Sequence, residues 1–292
     1  MTRLNEVIEE VRAEVTRVAS SGNVLQKLDF LRHNPSDLSH TIFQLSPTSD
    51  SRELATCRYD AVSRWVVDCL LKPYESREAD EAAKLYRNLS AVPWAAAFRG
   101  CLFERQVMAF FDRMEAGSKL SIRGLANSNQ MTWTYREHTA FVPFHQDETA
   151  TNAINSAIQA REPLHLVPSA PNFASVNSIV YNPNEVLTCI QITISDNHPI
   201  TVSGLERIQK LLKCSTPAEN LHPDTPWRKW RFIFVVPSRV APIFKLQTLK
   251  VKGKDKKNSK DKWAGMIDQY VLGLEEEPIF RDSEQGEQQV RC

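Results

Sequence analysis

The chain has 292 residues, 42% of them hydrophobic, with Lys+Arg 36 against Asp+Glu 35 and a formal charge of +1. That is enough apolar material for one or two cores, and the even balance excludes a chain drawn to nucleic acid or membrane by its overall charge. Six cysteines without a CxxC pair fit free thiols rather than a disulfide or zinc framework. No apolar run reaches the roughly 18 residues of a membrane span, and residues 1–20 lack a secretory pattern, so an intracellular chain with no membrane partner is expected.

The first third reads as helical. Leu4, Val7, Ile8, Val11, Val15 and Val18 follow helix spacing up to Gly22, and Val24–His33 predicts a second helix ending before Pro35. Asp37–Pro47 is expected as a short ordered connection. Helices follow over Arg52–Leu71 and Ser76–Leu89, with Pro93 as a hinge. Ala95–Met114 predicts a helix whose apolar side carries Phe98, Leu102, Phe103, Val107, Phe110 and Phe111. Leu120–Arg123, Met131–Tyr135 and Thr139–Val142 alternate like strands. His138 and His145 lie near Glu137, Asp147 and Glu148 without metalloprotease spacing, which reads as a loop. A hairpin at 173–195, a helix over Ser203–Lys213, a buried strand over Trp230–Val236 and a last helix over Trp263–Leu272 complete the chain. The fold class is α/β (α+β): an N-terminal helical region, 1–94, then a mixed-sheet domain, 95–273, then an acidic tail, 274–292, expected to be disordered.

The hairpin carries the most chemistry. A loop centred near Asn184 sets Asn177 opposite Gln191. Period-2 alternation puts Gln191 and Thr193 on one face, with Ile190, Ile192 and Ile194 on the other, toward a core. Such a polar pair is either solvent-facing or a site. In restriction-type nucleases an acid on one strand and an acid-x-Lys on the next hold Mg²⁺, supported by an acid from a preceding helix. Mg²⁺ takes hard oxygen ligands, usually with one or two carboxylates, and lowers the pKa of bound water. The helix acid here would be Glu104, which sits amid Leu102, Phe103 and Val107 and is either that acid or a solvated edge residue. His198, just past the second strand, either positions a phosphate or proton or caps the turn.

Charge is blocked near the end of the chain. Lys245 to Lys262 holds eight Lys and two Asp, a net of +6, and Glu275 to Cys292 holds six acids and two Arg, a net of −4. The basic block is either a solvated segment or a phosphate-tracking one, with Lys250, Lys252, Lys254, Lys256 and Lys257 as its candidate contacts. Trp227, Trp230 and Trp263 flank it.

Six segments, in order, carry a resemblance. They are Ser39–Pro47, Arg99–Glu104, Pro171–Ser178, Gln191–Ser195 with His198-Pro-Ile200, Phe232–Pro237 and Gln269–Leu272. Over roughly residues 38–273 the chain resembles the C-terminal region of the Crinkler/retrotransposon-hot-spot (RHS-like) proteins of fungi, oomycetes and trypanosomatids. The resemblance implies a PD-(D/E)xK-type, restriction-endonuclease-like domain over 95–273, bound Mg²⁺, DNA as partner and a nuclear destination. It puts Glu104 at the helix acid, Asn177 at the first strand acid, and Gln191 and Thr193 at the two ends of the (D/E)-x-K element. Many relatives have Asp at the position of Asn177, whereas Gln-x-Thr recurs at the last element.

Relatives also carry an upstream P-loop ATPase. This sequence has no GxxxxGK[ST], so region 1–94 is expected to be the remnant of an ATPase lid or a linker, and an ATPase domain absent from this chain is an expected partner. Three functions follow. One is a Mg²⁺-dependent nuclease rescued by a migrated Asp196, Glu185 or Glu162, with Lys210 or a residue of the Lys-rich loop as the cation. Another is a nuclease-fold module that binds DNA with weak or absent catalysis. The third is an inactive effector or protein-interaction module using the helical half.

Overall fold

The computed structural model describes Glu9, Ala13 and residues 43–47, 57–61, 86–87, 96–115, 117–135, 140–169, 173–213, 221–223, 228–251 and 256–276. Two compact units divide the chain: residues 1–106 with 276–292, and residues 107–275.

In the first unit, β1 (Phe43–Pro47) and β2 (Cys57–Ala61) pair antiparallel, with Phe43 opposite Ala61 and Pro47 opposite Cys57. The helix expected over Arg52–Leu71 is therefore corrected at 57–61, where a backbone ladder overrides local helix preference. Glu9, Ala13, Tyr86 and Arg87 are helical, and the rest of the expected N-terminal helices lie outside the described residues. The Tyr86 hydroxyl donates to Glu276 Oε1 at 2.6 Å. Helix α1 (Ala96–Arg113) begins in this unit and ends in the second.

The second unit is built on an eight-stranded mixed sheet in the order β4-β3-β12-β10-β8-β7-β6-β5. Its strands are β3 (Lys119–Gly124), β4 (Gln130–Thr134), β5 (Ala140–Phe144), β6 (Leu164–Pro168), β7 (Ser178–Tyr181), β8 (Thr188–Ile192), β10 (Trp230–Pro237) and β12 (Ile267–Leu274). β6, β7 and β8 form an antiparallel meander, and β10 lies parallel to both β8 and β12. Two short strands, β9 (Ile200–Thr201) and β11 (Leu249–Lys250), pair parallel beside it.

Helices α2 (Asp147–Ala160), α3 (Val202–Lys213) and α4 (Lys256–Ala264) supply the other layer. Ala150, Ile154 and Ala157 of α2, with Leu205, Ile208, Leu211 and Leu212 of α3, join one core with Leu166, Ile179, Cys189, Phe232 and Phe234 from a single face of the sheet. Trp230 and Trp263 are also fully buried there, with ring centroids 5.4 Å apart, so both are core residues. Thr151 locks α2 to α3 by donating to the carbonyl of Leu211 at 3.3 Å. Arg207 of α3 reaches Asp147 in the first turn of α2 at 2.6 Å. On the opposite face Val180, Ile190, Ile192, Ile233, Val235 and Leu272 are buried as well. Phe111 of α1 packs there against Trp133, Tyr135 and His165.

Two further expectations are corrected. Asp147 and Glu148 open α2 instead of sitting in a loop; their charge complements the positive helix end. The inward stripe of α2 is Ala150, Thr151, Ile154 and Ala157, too small and polar to announce a helix. The last expected helix, Trp263–Leu272, is the end of α4 followed by β12. A short apolar run fits either period, and pairing with β10 along all eight residues of β12 decides for strand.

Candidate functional site

β7 and β8 form the predicted hairpin. Ser178 opposes Ile190, Ile179 opposes Cys189 and Val180 opposes Thr188. The same register, carried one residue outward, sets Asn177 against Gln191. The turn at the other end holds Asn184 at φ 66°, in the left-handed region that Asn tolerates. β8 is buried along its whole length because sheet neighbours flank it and both its faces are covered. Gln191 therefore faces a core alongside Cys189 and Phe234, only 7% exposed, and the expectation of a single core-facing side is corrected.

Asn177 closes the open end of the hairpin. Its N–H donates to the Ile190 carbonyl at 2.8 Å, and its side-chain Oδ1 accepts the Ile192 N–H at 2.7 Å, bracketing Gln191. Gln191 Nε2 donates to the carbonyl of Ile192 at 3.1 Å. Thr193 extends the ladder by donating its N–H to Val235 at 3.0 Å, while its Oγ1 accepts the Ser195 N–H at 3.1 Å. Entry to β7 is fixed by Ser175, at φ 67°, whose hydroxyl oxygen accepts the Thr201 N–H. Gly204 lets the first turn of α3 press onto that entry: a Cβ there would stand 2.0 Å from the Ala174 carbonyl oxygen.

Two glutamines without a predicted role, Gln247 and Gln269, organise the rest. Gln247 is 6% exposed, and its Oε1 accepts the His198 N–H at 2.7 Å. Its Nε2 donates to the carbonyls of Asp196 and Lys245 at 3.1 and 2.8 Å. The Gln269 side chain then pairs with the backbone of Gln247, accepting its N–H at 2.9 Å and donating to its carbonyl at 3.0 Å. Gln269 thus acts as a substitute peptide group, and the 196–198 and 245–247 segments are held as one surface. Arg123 anchors the neighbouring turn, donating to the carbonyls of Ala241 and Phe244 at 2.6 and 3.1 Å. No sequence period marks these glutamines; their role comes from segments far apart in the chain.

The basic block starts beside this surface. Lys250 in β11 opposes Thr201 in β9, and Ile200 donates its N–H to Thr248 at 3.0 Å. The half-buried His198 imidazole is held below its usual range, first by burial and second by the charge of Lys250. Lys245 and Lys250 are exposed. Lys252 and Lys254 lie outside the described residues, and Lys256 and Lys257 open α4 with their side chains outside them.

Glu104 lies on α1, half-buried, in the first unit; Asn177, Gln191, Thr193 and His198 belong to the second. Glu185 sits in the hairpin turn, opposite in position to the Asn177 end, and pairs with Arg231 at 3.4 Å, so it does not replace a missing strand acid. Glu162 is exposed just after α2, and Asp196 is exposed in the surface that Gln247 ties together. Among the described residues no group of three or more His, Cys, Asp or Glu side chains could hold a metal ion. At the hairpin end the oxygens of Asn177 and Thr193 already accept backbone N–H groups, and none of the three strand residues is a carboxylate. These residues do not fit Mg²⁺, which favours free, charged oxygen ligands.

No protein-family model matches the chain, and no curated protein or solved structure matches it. No helix among the described residues is long and apolar enough to cross a membrane.

Proposed function

We propose that this is a nuclease-fold protein of the Crinkler/RHS type that engages DNA beside a degenerate metal site, with Mg²⁺-dependent hydrolysis weak or absent. The succession of α2, the β6-β7-β8 meander, α3 and parallel β10 supports the restriction-endonuclease-like reading. The observation that carries the function is the pairing of Lys250 with Thr201, which brings the start of the basic block next to His198 at the exit of the hairpin. A lysine held there, at the head of a lysine-rich sequence, would meet a phosphate backbone by counterion release, without needing base contacts. Backbone N–H groups already take up the Asn177 and Thr193 oxygens, which supports weak or absent metal-dependent hydrolysis.

Plasmid cleavage with Mg²⁺ or Mn²⁺ tests the reading, with wild type, Glu104→Ala and Asn177→Asp compared. The expected result is DNA that is shifted but uncut by wild type, with at most slow nicking. Rapid wild-type cleavage abolished by Glu104→Ala would establish a working metal site instead.

A further inference from the structure

Among the described residues two large hydrophobic side chains stand exposed, Ile243 at 61% and Leu246 at 54%, and both belong to one turn of the second unit. Single exposed aliphatics are ordinary on a protein surface, but a pair on one turn makes a small apolar tip. Lys245, between them, is exposed too. Exposure then alternates through buried Gln247, exposed Thr248, buried Leu249 and exposed Lys250. The outward row therefore runs from Leu246 to the lysine that opposes Thr201 in β9.

The tip is rigidly mounted. Pro242 stands in the 3₁₀ turn Ala241–Ile243 and fixes its own φ. Arg123 of β3 donates to the carbonyls of Ala241 and Phe244, on either side of Ile243. Phe244 is buried, its ring centroid 5.0 Å from that of Phe234, and Gln247 Nε2 takes the Lys245 carbonyl at 2.8 Å. Ile243 and Leu246 are thus held outward between fixed neighbours, and presenting them to a partner costs little ordering.

Fixed cations beside fixed aliphatics suit an anionic partner with an apolar interior. A DNA duplex, whose base stack lies between phosphates, is one such partner, and an anionic bilayer is another. Size favours the duplex. The two side chains together carry fewer carbons than one myristoyl chain, which alone binds a bilayer only marginally. A base step, by contrast, opens to one or two aliphatic side chains pushed between its pairs.

We propose that Ile243 and Leu246 form a wedge that enters the minor groove of duplex DNA and partly unstacks one base step, while Lys245 and Lys250 hold flanking phosphates. The inference rests on the DNA reading above and adds a bend to it. Unstacking from the minor-groove side kinks a duplex toward its major groove, most easily at a flexible pyrimidine–purine step.

The test uses the full chain and a duplex with a central TA step, dye-labelled at both ends. Anisotropy reads affinity, and energy transfer between the ends reads bending. Wild type is expected to bind and to raise the transfer. Ile243→Ser combined with Leu246→Ser is expected to weaken binding about tenfold, leave the salt slope unchanged and abolish the rise in transfer. Both side chains are exposed, so this double variant should keep the wild-type thermal midpoint; a lowered midpoint would make the pair structural and overturn the wedge. Lys245→Gln should do the reverse, lowering the log–log salt slope by about one while the bend persists. A wild-type chain that binds no duplex overturns both this inference and the DNA reading. Salt-dependent binding to a duplex that stays straight, or a double variant that binds and bends like wild type, overturns the wedge alone. So does sedimentation with phosphatidylserine vesicles by wild type but not by the double variant, when both bind DNA alike, since the tip would then belong to a lipid surface.

Discussion

The side-chain oxygen of Asn177 lies 2.7 Å from the amide nitrogen of Ile192 and accepts its hydrogen. An amide at this position does the work of a backbone carbonyl, finishing the β7–β8 ladder one residue past its last regular pair. This oxygen, which the proposed nuclease reading would turn toward an ion, is used here by the fold. We predict that Asn177→Ala costs about 1–3 kcal/mol, the penalty of a buried donor left unpaired. Asn177→Asp, which keeps an acceptor, should stay within about 1 kcal/mol of wild type at neutral pH. Urea denaturation of both variants measures this, and an Asn177→Ala protein as stable as wild type would remove the structural role.

Gly204 and the Ala174 carbonyl make a second sharp test. In an open helix Gly→Ala stabilises by about 1 kcal/mol. Here the added methyl would meet the carbonyl oxygen at 2.0 Å, so the first turn of α3 must lift from the hairpin entry. Gly204→Ala is expected to destabilise by about 1–3 kcal/mol. A gain in thermal midpoint would contradict the close approach.

His198 reports on the basic block. Burial and then Lys250 hold its imidazole below the ordinary range. Replacing Lys250 by Gln removes the second cause, so the His198 titration followed by NMR should move upward yet remain depressed. An unchanged midpoint would mean that Lys250 does not sit beside His198.

His165 gives the fold a pH dependence. It is fully buried, its Nδ1 2.9 Å from the Tyr135 hydroxyl, and burial pushes its pKa down to about 3 from an ordinary 6.5. The unfolded chain therefore takes up a proton near pH 6.5 that the folded chain refuses. Stability from this group is complete above that pH and is lost as pH falls toward 3, by about 1.4 kcal/mol per unit. Denaturation midpoints between pH 7 and 4 should show a steeper decline in wild type than in His165→Phe. Equal slopes would show that His165 charges in the folded state.

The sequence disclosed what rests on local periodicity and turn length. The register that faces Asn177 with Gln191 follows from a loop centred near Asn184, and β10 is evident from its run of aromatic and β-branched residues. α2 was hidden because its buried stripe is small: Ala150, Thr151 and Ala157 carry too little hydrophobic contrast. β12 was hidden because Trp263 through Leu272 mixes a helix end with a strand, and only pairing with β10 separates them. Gln247 and Gln269 had no local signature. Each matters through partners about 20 to 50 positions away, which is tertiary information.

The claim that the basic block beside the hairpin engages DNA is tested most directly by duplex DNA affinity measured against salt, for wild type and Lys250→Glu. The account predicts affinity that falls steeply with salt, weaker binding by the variant, and a log–log salt slope smaller by about one. Affinity indifferent both to salt and to Lys250→Glu would contradict it.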